Sequence, residues 1–160
     1  MKEAKITKKL LKIFIKDIRL QDKVELELCY RDSLEEFYQI CLDGRYETYF
    51  LIDDKNRPLA LGGAFDLRNK EQKVAKLWLL ATNQIVNHKL AVYRYIKSKI
   101  LYFKNSYDVL FNYIYKSNFD SLKLLQKNAF NVVDLENKEY KLFYFNKGEK
   151  DFDIRYFACK

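Results

Sequence analysis

The stretch NYIYKSNFDSLKLLQKNAF, Asn112 to Phe130, contains a strand, a polar turn, a helix and a second turn. The alternating apolar residues of DVLFNYIY predict a strand. Asn118 is placed to cap the helix that follows, because its side-chain oxygen can accept a hydrogen bond from a main-chain N–H of the first turn. At the other end, Asn128 can supply the left-handed residue with which many helices close. A strand that leads into a capped helix and back into strands is typical of a domain that layers helices on a sheet.

Further strands are predicted on both sides of this unit. Short apolar or alternating runs, separated by turn residues, predict strands near 12–18, 46–53, 57–67, 73–81, 108–115, 131–135 and 140–146. The run LWLLA within 73–81 predicts a central strand that is buried on both faces. Gly62 and Gly63 predict a bulge or a close approach of two main chains. For the first strand an alternative stays open, in which residues 3–14 form a basic amphipathic helix.

Helices are predicted between these strands. The longest spans about 89–103, because Val92, Ile96, Ile100 and Phe103 recur at helical spacing. SLEEFYQICLDG predicts a shorter helix, with a capping box from Ser33 to Glu36 and with Gly44 at its C-terminus. QDKVELELCY alternates like a strand, but its Glu and Leu content favours a helix.

Composition narrows the class of protein. A chain of 160 residues with 49% hydrophobic residues predicts one folded domain, residues 1–160. The three cysteines have no metal-ligand spacing and there is a single histidine, so neither a disulfide framework nor a metal site is predicted. No apolar run has the length of a membrane span, and a cytoplasmic location fits best. The net charge of +8 is concentrated at the N-terminus and suits nucleic acid, an anionic surface or a phosphorylated cofactor.

The predicted order of elements resembles that of the GNAT (Gcn5-related N-acetyltransferase) superfamily. IRLQD is similar to the opening strand and the helix after it, RPLALGGAF to the third strand, and NYIYKSNFDSLKLLQKNAF to a later strand and helix. The resemblance extends from about Lys12 to Phe145. It implies an α/β (α+β) fold with a mixed, mostly antiparallel central sheet flanked by helices. It also implies transfer of an acyl group from acetyl-CoA to a small-molecule or protein amine.

The same resemblance implies a cofactor site after the fourth strand. The family holds the pyrophosphate at a loop with the pattern Arg or Gln, two residues, Gly, one residue, then Gly or Ala, where free N–H groups at a helix N-terminus face the anion. Here the matching residues are Gln84, Asn87, His88 and Lys89, and both glycines are absent. Asn87 can adopt the left-handed conformation in place of glycine. A solvated helix cap with no ligand is the alternative.

Two further parts of the chain complete the implied cofactor site. The main chain of the fourth strand, at Leu79, Leu80 and Ala81, would hold the pantetheine arm as an added strand does. Asn118 would help to hold the cofactor, and capping the following helix is an equally good use of its side chain.

The catalytic residues are harder to predict. Leu125 stands where the family often has a Tyr as general acid, and the fourth strand has no Glu to act as the base. Asp66 and Tyr113, with Tyr115 beside it, are the candidates that remain. The alternative for Tyr113 and Tyr115 is that they are core residues whose hydroxyls are hydrogen-bonded within the protein.

A narrower resemblance is to acetyltransferase-like internal virion proteins of phages, carried by LWLLATNQIVNHKLAVYRYIKS and by the strand and helix after it. Three functions therefore stay open. The first is an acetyl-CoA-dependent N-acyltransferase with a degenerate cofactor loop. The second is a phage or prophage structural protein on the same fold, located in the virion and contacting other virion proteins. The third, least favoured, is a nucleic-acid-binding module that uses the basic N-terminus.

Overall fold

The structure, a computed structural model, describes residues 1–29, 34–43, 46–67, 72–136 and 139–148, with the main chain alone at residues 28, 29 and 34. Ser33 and Gly44, the predicted ends of one helix, lie outside the described residues. The described helices are α1 (Lys8–Lys16), α2 (Leu20–Cys29), α3 (Leu34–Leu42), α4 (Lys89–Ser106) and α5 (Phe119–Lys127). The described strands are β1 (Lys2–Glu3), β2 (Glu47–Ile52), β3 (Pro58–Asp66), β4 (Val74–Ala81), β5 (Val109–Tyr115), β6 (Asn131–Asp134) and β7 (Tyr140–Asn146).

All of these strands belong to a single mixed sheet of order β1-β2-β3-β4-β5-β7-β6. Neighbouring strands in this sheet are antiparallel, except for β4 and β5, which run parallel. Helices α1, α2 and α3 pack on one face, and α4 and α5 pack on the other. The predicted fold, a mostly antiparallel sheet flanked by helices, is confirmed.

The predicted strand at 12–18 is wrong, and α1 occupies most of it. Thr7 caps this helix, because its Oγ1 accepts a hydrogen bond from the Leu10 N–H at 3.2 Å. Leu11 and Phe14, on the inner side of α1, are fully buried. Ile13, one of the residues that gave the alternating pattern, is 45% exposed. The helical spacing therefore prevailed over the alternating one. The sheet begins instead with β1, on the outer edge of β2.

The other predicted elements are confirmed within a few residues at each end. The residues predicted to line α4, namely Val92, Ile96, Ile100 and Phe103, are all buried against the sheet. Leu77 and Leu80 of β4 are buried on opposite faces, as the apolar run predicts. In the described part of the chain, no helix combines the length and apolar character needed to cross a membrane.

The glycine pair in β3 marks a close approach rather than a bulge. A Cβ on Gly63 would lie 2.2 Å from the carbonyl oxygen of Glu47 in β2, and one on Gly62 would lie 2.5 Å from the Tyr49 hydroxyl. The register between β2 and β3 shifts elsewhere, between Leu51 and Ile52. Glycine at these positions lets β2 and β3 pack without side-chain interference.

The end of α5 differs from the prediction by one residue. Ala129, with φ of 55°, adopts the left-handed conformation, whereas Asn128 has φ of −103°. The Ala129 N–H donates to Gln126 and the Phe130 N–H donates to Leu125, each at 3.1 Å, which is the hydrogen-bond pattern of a Schellman motif. The Asn128 side chain instead donates to the Leu124 carbonyl at 2.7 Å.

We expect Ala129→Gly to raise the free energy of unfolding by about 0.5–1 kcal/mol, because glycine adopts this conformation without the steric penalty of a Cβ. Urea denaturation measures the change. Asn56 also has a positive φ, of 58°, but asparagine tolerates that region. Asn56→Gly is therefore the matched control, with a change near zero. Equal effects of the two substitutions would contradict strain at Ala129.

Candidate active site

The candidate site is a gap between β4 and β5 where their pairing stops. The two parallel strands are in register only from Val74 to Lys76 on β4 and from Val109 to Phe111 on β5. Beyond these pairs β4 continues to Ala81 with β3 as its ladder neighbour and without β5. The unpaired ends of the strands expose main-chain hydrogen-bonding groups to the gap between them.

The side chain of Asn112 holds the strands apart where the gap begins. Its Nδ2 donates to the Leu77 carbonyl at 2.9 Å, and its Oδ1 accepts from the Tyr113 N–H at 2.8 Å. These two main-chain groups are of the kind that would bond each other if the ladder continued. The carboxamide therefore takes the place of the next ladder step and widens the separation of the strands. The sequence signal for this role was a single amide residue inside an apolar central strand.

Strand alternation decides which main-chain groups of β4 face the gap. The Thr82 N–H, just past the end of β4, donates to Leu59 in β3, whereas the N–H and carbonyl of Ala81 point away from β3. Because successive residues alternate, the main chain of Leu79 faces the gap and that of Leu80 faces β3. The main chain of Leu80 is therefore directed toward β3 rather than into the gap, and its predicted role in cofactor binding stays a prediction.

Helix α2 reaches over the far end of the gap. The Asp22 Oδ2 accepts a hydrogen bond from the Ala81 N–H at 2.7 Å, and the Arg19 N–H donates to the Ala81 carbonyl at 2.9 Å. The Arg19 guanidinium also holds Asp22 through two hydrogen bonds, each of 2.9 Å. Both main-chain groups of Ala81 are therefore engaged by α2 and by the segment that leads into it.

The same helix contacts β5 on the opposite side. The Glu25 Oε1 accepts from the Tyr115 N–H at 3.0 Å and from the Asn118 Nδ2 at 3.1 Å. Asn118 Nδ2 also lies 3.3 Å from the Asp22 Oδ1. A continuous polar bridge thus runs from β4 to β5 through two carboxylates of α2 and the amide of Asn118, the N-cap residue of α5. The helix-capping role of Asn118 is confirmed as well, since its Oδ1 accepts from the Ser121 N–H.

The pKa values of the two carboxyl groups in the bridge are raised above their ordinary values. Burial raises the pKa of Asp22 despite the Arg19 guanidinium beside it. Burial also raises the pKa of Glu25, and the negative charge of Asp22 adds to the effect. Buried carboxyls with raised pKa values are candidates for proton transfer. Neither was predicted from the sequence, because their partners lie far along the chain.

The predicted pyrophosphate loop forms a turn of 3-10 helix, Asn83–Asn87, followed directly by α4. Asn87 does not use the left-handed conformation that is open to an asparagine, since the described non-glycine residues with positive φ are Asn56 and Ala129. His88 precedes α4 without a side-chain cap. The first N–H groups of α4, like those of any helix, have no partner within the helix, and Lys89 is exposed beside them.

The two predicted catalytic candidates are not brought together with this bridge. Asp66 is exposed and lies opposite Ala75, about 13 Å along β4 from Leu79 at the rise of a strand. Tyr113 lies closer, on the strand that borders the gap. Its side chain packs against a small apolar cluster on the α2 side of the sheet. The catalytic roles of Asp66 and Tyr113 stay predictions.

Comparisons with known proteins bear on the fold. No protein-family model and no curated protein sequence matches the chain. Among solved structures, a Vibrio cholerae spermidine N-acetyltransferase in complex with CoA and spermine superposes with a TM-score of 0.63 at 12% identity, over 91% of this chain and 95% of that one. A protein provisionally named a phosphinothricin N-acetyltransferase gives a TM-score of 0.60 at 14% identity, over 89% and 94%.

A third structure names the superfamily. It is an acetyltransferase of the GNAT family from Streptococcus pneumoniae, with a TM-score of 0.53 at 14% identity, over 71% of this chain and 74% of that one. The fold is therefore that of the GNAT acetyltransferases. At these identities the likeness establishes the fold alone. It gives no support to the resemblance to phage internal virion proteins.

Proposed function

We propose that this protein transfers an acyl group from a CoA thioester to an amine. One observation carries the proposal: β4 and β5 separate after Lys76 and Phe111, which leaves the Leu79 main chain facing a gap between two parallel strands. An extended amide-containing arm can enter such a gap and bond the main chain as an added strand would. Proteins of the same fold include one solved with CoA and spermine, which supports CoA and an amine as the ligands here.

The residues around the gap fit a CoA molecule at two places. The first N–H groups of α4, with no side-chain cap at His88, suit a pyrophosphate. Lys89 adds a positive charge at that helix end, and Gln84 is half-buried in the preceding turn. At the other place, the main chain of Leu79 faces the gap, where the thioester end of the pantetheine arm would lie.

The polar bridge formed by α2 limits the space that is available to the pantetheine arm. Because Asp22 and Arg19 already engage the main chain of Ala81, the arm has only the space between Asn112 and the bridge. We propose that the thioester end lies at Leu79, where the N–H can polarise the carbonyl oxygen as charge develops on it. This assignment replaces the broader set Leu79, Leu80 and Ala81 by Leu79 alone.

The protein is expected to be a slow enzyme. Leu125 stands where the resemblance to the GNAT family implies a tyrosine general acid, and it is a buried apolar residue packed in the core. A side-chain acid typically contributes about 10²–10⁴-fold. CoA supplies an activated acyl group and a fair leaving thiolate, so the absence of the acid slows transfer without preventing it.

Binding of CoA is tested by thermal denaturation. We expect acetyl-CoA to raise the melting temperature, because a ligand at 100 times its dissociation constant adds about 2.7 kcal/mol to the stability of the folded state. Lys89→Ala should reduce the shift, and the reduction should shrink as salt is added, since an exposed charge is screened. Lys97→Ala, at an exposed position of the same helix, is the matched control and should leave the shift unchanged. If millimolar acetyl-CoA produces no shift, the proposed function fails and a scaffold on the same fold is favoured.

A further inference from the structure

We infer that Glu25 is the proton acceptor for the attacking amine, supplied by α2 rather than by the sheet. This inference rests on the proposed function. It also explains how the chain could do without an acidic residue on β4, whose sequence VAKLWLLA contains none.

Hydrogen bonding fixes one oxygen of Glu25 and leaves the other available. Oε1 accepts both the Tyr115 N–H and the Asn118 Nδ2. In the described part of the chain, no group is bonded to Oε2. A carboxylate held through one oxygen, with the second oxygen open, is positioned to take a proton from a ligand.

Asp22, the other carboxylate of the bridge, has no such capacity. Its Oδ2 accepts from the Ala81 N–H and the Arg19 Nε, and its Oδ1 accepts from the Arg19 guanidinium and from Asn118. It is also fully buried. Its role is to join α2 to β4, and it adds negative charge close to Glu25.

The surroundings of Glu25 suit a base that works near neutral pH. The charged groups that act on it are Asp22 and Arg19, and the contacts from β5 and α5 come from an N–H and an amide. Burial and the neighbouring carboxylate raise the pKa of Glu25. A carboxyl with a raised pKa accepts a proton from an ammonium ion more readily than an exposed one does.

The proton balance of the step is simple. A bound ammonium gives one proton to the Glu25 Oε2 and becomes a neutral amine. The nitrogen lone pair then forms the C–N bond at the thioester carbonyl, while the carbonyl oxygen accepts from the Leu79 N–H. The C–S bond breaks, and the thiolate leaves with the electron pair and takes the proton that the new amide nitrogen releases. The proton on Glu25 passes to water.

Glu25→Gln tests the assignment with little structural change, because the glutamine Oε1 can accept the same two hydrogen bonds. Thiol release from acetyl-CoA, with spermine and a lysine peptide as the amines, measures turnover. We expect kcat to fall about 10²–10⁴-fold, and the acidic limb of the kcat/KM profile to disappear. The melting-temperature shift with acetyl-CoA should be unchanged. Glu27→Gln, at an exposed position on the same helix, is the control and should keep the full rate and profile.

A second measurement does not depend on turnover. Because the folded-state pKa of Glu25 lies above the unfolded one, its contribution to stability is greatest below its unfolded pKa and falls as the pH rises. Glu25→Gln should therefore be more stable than the wild type to urea at pH 7, and the difference should vanish below about pH 4. Glu27→Gln should show no such gain.

The outcomes separate the two proposals. A wild type that ignores acetyl-CoA overturns the proposed function. A wild type that turns over while Glu25→Gln keeps the full rate and the same acidic limb overturns the assignment of Glu25 alone. If neither amine is a substrate, the denaturation experiment decides, and a variant that is no more stable at pH 7 overturns the assignment.

Discussion

Asp22→Ala is expected to lower the free energy of unfolding by about 3–5 kcal/mol, which is the usual loss when one partner of a buried ion pair is removed. The substitution leaves the Arg19 guanidinium, whose side chain is only 17% exposed, without its carboxylate. It also removes the acceptor of the Ala81 N–H, and an unsatisfied buried N–H is itself costly. Both losses fall where α2 meets the sheet.

Urea denaturation at pH 7 measures this loss. The control is Glu27→Ala on the same helix, whose exposed pair with Lys23 has a separation of 3.6 Å and should contribute less than about 1 kcal/mol. A loss for Asp22→Ala as small as that of the control would show that the bridge between β4 and α2 does not form in solution.

Gly63→Ala is expected to cost about 3 kcal/mol or more, at or beyond the upper end of the usual range for overpacking. The new Cβ would lie 2.2 Å from the Glu47 carbonyl oxygen and 3.0 Å from the Thr48 Cα. Both are main-chain atoms of the neighbouring strand, so relief requires β2 and β3 to move apart.

Gly62→Ala provides the comparison. Its Cβ would meet first the Tyr49 hydroxyl at 2.5 Å, next the ring carbon that carries this hydroxyl at 2.7 Å, and then the Trp78 carbonyl oxygen at 2.9 Å. A side-chain end can yield more easily than a main chain, so a smaller loss is expected. Melting temperatures of the two variants give the order, and a Gly63→Ala protein as stable as the wild type would contradict the close packing of β2 on β3.

Secondary structure was predicted correctly where the hydrophobic pattern of a segment clearly favours either a strand or a helix. The short apolar run around Trp78 favours a buried strand, and the spacing from Val92 to Phe103 favours a helix. The segment 12–18 and the residues just before it fit both a strand and a helix, because Ile13 and Ile15 alternate while Leu11 and Phe14 follow helical spacing. Burial of the second pair against the sheet decided between them, and this tertiary packing was not part of the sequence pattern.

The candidate site was predicted in part, through the resemblance to a family rather than through a local motif. The resemblance placed β4 and the start of α4 beside the cofactor. It did not reveal the bridge, because the partners of Asp22 and Glu25 on β4 and β5 lie 59 and 90 residues away in the chain. Those partners are main-chain N–H groups, which no side-chain pattern distinguishes.

Amide hydrogen exchange resolved by residue tests most directly whether a CoA thioester binds in the gap between β4 and β5, as proposed. With acetyl-CoA present, exchange should slow at the Leu79 amide and at the first amides of α4, from Lys89 onward, because these N–H groups gain acceptors from the ligand. Amides on the exposed side of α1 should be unaffected. Binding that protects other amides and leaves Leu79 unchanged would contradict the account.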